Sequence, residues 1–104
     1  MPSQATVGIF ANMKAELLLK QRQRIKDGMF VELVVWRVPE PVRASAHNFK
    51  YRLALVVDTI CVLRYDNEAG KGDHTHLGDK EVSYAFAGVE ALIADFWNDV
   101  ETWR

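Results

Sequence analysis

The chain has 104 residues, 49% of them hydrophobic and 26% charged, with a net charge of -1. That balance belongs to an ordinary globular protein and excludes disordered, fibrous and collagen-like architectures. The length suits one domain with one core, and the near-neutral charge argues against indiscriminate nucleic-acid binding.

The apolar runs are short, far below the roughly 18 residues that span a bilayer, so no membrane association is expected. Met1 to Asn12 has neither the basic start nor the apolar centre of an export signal. The single cysteine, Cys61, has no partner for an intramolecular disulfide. With these features, the cytoplasm is the expected compartment. The charge is divided along the chain: residues up to Arg64 hold ten Lys and Arg against five Asp and Glu, and those from Tyr65 hold three against nine. An acidic half that docks on a basic one is compatible with a binding surface.

Residues 1–11 show no periodicity and read as a loose extension; residues 12–104 read as a single α+β domain. From Asn12 to Asp27, the spacing of Met13, Leu17, Leu18 and Ile25 predicts a helix, with Asn12 as its N-cap and Gly28 as its stop. Lys20, Arg22, Arg24 and Lys26 would form its solvated, basic face. Met29 to Val38 is rich in β-branched and aromatic residues and ends at Pro39 and Pro41, as a strand does. A connection containing His47 follows, with that histidine read as a surface residue. Phe49, Tyr51, Leu53, Leu55 and Val57 then alternate at period two in a second strand.

Asp58 and Thr59 turn the chain, and Ile60 to Tyr65 returns as a third strand. A polar loop, Asn67 to Asp79, leads to a short fourth strand at Val82 to Phe86. Val89, Leu92, Ile93, Phe96, Val100 and Trp103 then mark a C-terminal amphipathic helix. The expected architecture is a small antiparallel sheet of three to four strands flanked on one face by an N-terminal and a C-terminal helix.

The polar loop and the end of the strand before it hold the densest set of reactive side chains. His74 and His76 are two residues apart, so extended backbone puts both on one face. Two imidazoles so placed can divide general-base and general-acid work near neutral pH, with Asp66 or Asp73 orienting one of them. Together with a carboxylate they could instead hold a metal. Gly70 and Gly72 around Lys71 would let the backbone approach a phosphate, and Arg64 and Lys71 would supply positive charge. No cofactor motif accompanies them, and there is no Walker pattern, G-x-S-x-G elbow or H-E-x-x-H.

Arg64-Tyr65-Asp66-Asn67, Gly70-Lys71-Gly72-Asp73-His74, His76, Tyr84-x-Phe86 and Asp95-Phe96 together resemble the TumE-type family of prokaryotic toxins, from about Met13 to the C-terminus. The resemblance implies a toxin role and a cognate antitoxin, commonly a helix-turn-helix DNA-binding protein. Where many relatives carry a basic residue between the two histidines, Thr75 stands here. With the loop chemistry, this leads to the expectation of a toxin acting on RNA through His74 and His76, working as a homodimer. The alternatives are a non-enzymatic module that docks on a basic protein partner, and a metal-dependent nuclease.

Overall fold

A computed structural model describes residues 14–103. Six strands, β1 (Glu16–Lys26), β2 (Met29–Arg37), β3 (Phe49–Val57), β4 (Ile60–Glu68), β5 (Gly72–Leu77) and β6 (Lys80–Ser83), form one antiparallel meander whose spatial order is the chain order. A single helix, α1 (Val89–Thr102), follows.

This corrects the expected architecture in two places. Glu16–Lys26 is a strand, so the described residues contain no N-terminal helix. Lys20, Arg22 and Arg24 recur at every second position with Gln21 and Gln23 between them, which is the strand period rather than the helical one. Asp27-Gly28 is the two-residue turn of a hairpin, with Gly28 at φ 73°, the positive φ that such turns need. Leu17, Leu18 and Ile25 do not form a buried stripe: they are 45, 38 and 37% exposed. The expected Asn12 cap and the extension over residues 1–11 lie outside the described residues.

The second correction is at Asn67–Asp79, which is a hairpin and not a loop. β4 continues to Glu68, the chain turns at Ala69 to Lys71, and β5 pairs back with Arg64 opposite His76 and Asp66 opposite His74. Gly70 and Gly72 have φ of 88° and 77°. A side chain on Gly72 would come within 2.8 Å of the Ala44 carbonyl oxygen, and one on Gly70 within 2.9 Å of the Arg43 guanidinium. These glycines seat the turn against the β2–β3 connection.

Of the remaining elements, β2, β3, β4 and α1 fall where the sequence patterns put them, whereas the short strand expected at Val82 to Phe86 is β6 at Lys80–Ser83, paired with β5, and Tyr84 to Phe86 lie beyond it. β2 buries Met29, Val31, Leu33 and Val35 in strict alternation, and β3 buries Tyr51, Leu53 and Leu55. Asp58 and Thr59, both at positive φ, make the turn to β4. Leu92, Phe96 and Val100 of α1 join these residues in one core. Two tyrosines fasten the helix to the sheet: the Tyr65 hydroxyl donates to the Asp99 carboxylate, and that of Tyr84 to Asp95 at 2.6 Å. Burial first, and then these carboxylates, push both phenols well above their ordinary pKa. Among the described residues, no helix is long and apolar enough to cross a membrane.

Candidate functional site on the open face of the sheet

Because α1 packs on one face, the alternation of side chains along each strand delivers a second set to the other face, where the described residues place no helix. The ladder register lines them up in rows across the sheet. One row runs Arg22, Glu32, Ala54, Arg64, His76, Glu81; the next runs Lys20, Val34, Arg52, Asp66, His74, Ser83. Basic side chains occupy the β1 and β3 side of this open face, and a cluster of imidazoles and carboxylates occupies the β4 to β6 side.

The cluster is compact. His74 Nε2 lies 2.7 Å from Asp66 Oδ1, and Arg64 Nε lies 2.9 Å from Asp66 Oδ2. The Arg64 guanidinium also reaches His76 Nε2 at 2.9 Å. The two imidazole rings meet edge to face, 4.7 Å between centroids. Glu81 Oε2 stands 3.7 Å from His74 Nε2 and 4.0 Å from His76 Nε2, and it also receives Lys71 Nζ at 3.3 Å. Burial opposes the charge on Glu81, but its contact with Lys71 outweighs this and lowers its pKa.

The two histidines are not equivalent. His74 is 3% exposed, and its Nδ1 lies 2.9 Å from the Gly72 carbonyl oxygen. A carbonyl only accepts, so Nδ1 carries a proton and donates it. His76 is partly exposed. Burial, and then the Arg64 charge, lower its pKa, so the ring is neutral at pH 7. Its Nε2 accepts from Arg64.

Of the residues singled out in the sequence, Arg64, Asp66, His74 and His76 meet here, with Lys71 joined through Glu81. Asp73 does not. It points to the helix side, where its carboxylate receives hydrogen bonds from Ser45 Oγ at 2.7 Å and Tyr51 OH at 2.7 Å, and meets His47 Nε2 at 2.6 Å. Burial opposes its charge, but the hydrogen bonds from Tyr51, Ser45 and His47 prevail and hold its pKa below the usual value. His47 is therefore no surface residue: it stacks on Phe86 with ring centroids 3.7 Å apart. Thr75 also faces the helix side, opposite Tyr65, so the residue between the histidines does not enter the cluster.

Glu81 and Arg52 are the members of this face that the sequence reading missed. Arg52 was legible as an outward position of an alternating strand. Glu81 required β6 to begin at Lys80 rather than Val82.

The family model described as Toxin TumE matches residues 4–104. The chain belongs to the TumE toxin family. None of the curated proteins and none of the solved structures matches it. Membership gives the protein a toxin role and implies an antitoxin as its partner. The family-like segments divide by strand alternation. Arg64 and Asp66 point to the open face, while Tyr65 and Asn67 point to the helix side. There the Asn67 side chain, fully buried, accepts from the Tyr51 amide at 3.0 Å and donates to the Phe49 carbonyl at 2.7 Å.

Proposed function

We propose that this toxin acts on RNA, which lies across the open face of the sheet with a phosphodiester brought to the Arg64, Asp66, His74, His76 and Glu81 cluster. The observation that carries this reading is the register of the two rows. The same ladder that aligns Lys20, Arg22 and Arg52 ends at the imidazoles and carboxylates. Cations on β1 and β3, with Glu32 of β2 paired to Arg22 between them, suit the phosphates of a single strand, and a reacting centre at one end suits cleavage of the chain they hold.

Within the cluster, Arg64 and Lys71 bring positive charge toward the phosphate. His76 is the accessible imidazole and supplies the lone pair that acts at the reacting centre. His74, buried and held through Nδ1, positions the centre. This departs from an equal division of acid and base between the two histidines. The cognate antitoxin, in this reading a helix-turn-helix DNA-binding protein, blocks the toxin in a cytoplasmic complex.

The test is expression without antitoxin of the wild type and of His76→Ala, with growth and the integrity of cellular RNA followed together. Wild type should arrest growth with RNA cleavage, and the variant should do neither. Growth arrest with intact RNA would exclude RNA as the target and leave the open face as a surface that binds a protein.

A further inference from the structure

We propose that Asp66, His74 and His76 bind a single divalent transition-metal ion of the zinc class. The role of that ion in toxicity rests on the reading of the cluster given above, but its binding does not. One ligand atom from each of the three residues can be chosen so that all lie within 4.8 Å of one another; donors that each sit about 2 Å from one ion stand roughly 3 to 4 Å apart, so the side chains close in by about an ångström when the ion binds.

The decisive feature is the contact between His74 and Asp66. Nδ1 of His74 donates to the Gly72 carbonyl, so in the neutral ring Nε2 presents a lone pair. That lone pair stands 2.7 Å from another acceptor, Asp66 Oδ1. Two acceptors this close need a positive centre between them. A shared proton would answer if the groups were aligned, but neither atom has a hydrogen-bond partner, although both are buried. The His74 side chain is only 4% exposed, so water does not relieve it. A cation beside both atoms satisfies them together, as adjacent ligands on one ion.

The surroundings match. The bond from Nδ1 to a backbone carbonyl is the support that metal-bound imidazoles commonly have, since it fixes the ring and its tautomer. Arg64 Nε stands 2.9 Å from the second oxygen of Asp66 as an ion pair without a hydrogen bond, which leaves Oδ1 for the ion. His76 adds the third donor through Nε2, now engaged by the Arg64 guanidinium, which must turn aside. Two imidazoles and one carboxylate favour zinc and its neighbours over magnesium or calcium, which prefer oxygen alone. Three protein ligands leave a coordination position open for water or a phosphate oxygen.

The experiment uses the full chain, stripped with chelator and free of RNA. Zinc is titrated by calorimetry, and cobalt(II) serves as a visible-absorption probe of coordination. We expect one zinc per chain and ligand-field bands from cobalt. Asp66→Asn and His76→Gln, both at partly exposed positions and checked for folding by circular dichroism, should each weaken zinc at least tenfold, whereas His47→Gln should not. No saturable binding by the wild type, or binding that both cluster variants retain in full, overturns the proposal. Metal binding that behaves as expected in a protein that leaves RNA intact in cells would uphold the site and reject RNA as the target.

Discussion

Tyr65 and Asp66 are neighbours in sequence and face opposite sides of the sheet: the Tyr65 hydroxyl reaches Asp99 of α1, and the Asp66 carboxylate reaches His74 in the open-face cluster. One strand therefore anchors the helix and builds the site. Damage to either face can be separated experimentally.

On the helix face, Phe96 is fully buried and meets Tyr65 edge to face at 5.7 Å. Phe96→Ala should cost about 3 to 5 kcal/mol, and Tyr65→Phe, which removes only the hydroxyl, about 1 to 2 kcal/mol. Urea denaturation measures both. A loss below about 1 kcal/mol for Phe96→Ala would mean that α1 does not hold the core.

On the open face, His76→Ala should lower RNA cleavage in vitro by about a hundredfold or more, the usual worth of a positioned proton-transfer group or ligand, and leave the melting temperature nearly unchanged. If the fully folded variant cleaves RNA at the wild-type rate, the cluster is not the reacting centre.

Arg52→Gln and Lys71→Ala should weaken RNA binding, and each should reduce the slope of log affinity against log salt by about 0.7, the value for one contact to a single-stranded phosphate. Slopes that match the wild type would place the RNA elsewhere.

Asp73 makes acid stability predictable in sign. Its pKa is depressed in the fold, so its carboxylate contributes stability that is present above the ordinary aspartate value of about 4 and is lost as pH falls through the depressed value. The difference in melting temperature between wild type and Asp73→Asn should be large at pH 7 and should shrink toward pH 3. An undiminished difference at pH 3 would show that the Ser45, His47 and Tyr51 network does not depend on the charge.

Homodimer formation, an expectation from the sequence, would take place at the sheet edge. Among the described residues β1 is a long edge strand with no neighbour on one side, and a second copy could pair there. Lys20, Arg22 and Arg24 of the two copies would then lie close together, so dimerisation should strengthen as salt screens them. Light scattering over a salt series decides this, and a monomer at high micromolar protein in high salt removes the idea.

The elements that the sequence revealed are those whose burial is one-sided. β2 alternates cleanly, β3 does so apart from the buried Ala54, and α1 repeats at helical spacing because each has one face in the core. β1 was misread because it has almost no buried face: with Leu17, Leu18 and Ile25 all partly open to solvent, its apolar residues carried no reliable period, and the alternation lay in the cations. The Asp27-Gly28 turn was equally compatible with the end of a helix. For the site, Arg64, Asp66, His74 and His76 could be named from residue type, but Asp73 could not be excluded without strand geometry, which sends adjacent residues to opposite faces. Glu81 joins the cluster only through the β5–β6 pairing, a relationship that spacing alone did not disclose.

The meander has a consequence for how the toxin comes into being. Each strand pairs with the one made just before it, so the sheet can grow hairpin by hairpin during synthesis, with contacts that are mostly local in sequence. The helix that covers Leu33, Tyr51, Leu53 and Leu55 comes after all six strands. A nascent chain halted before Val89 would therefore already carry the open-face residues in order while its apolar side lay bare. Such a chain would be a substrate for chaperones and proteases rather than an active toxin. Harm to the cell would then await the docking of the last segment.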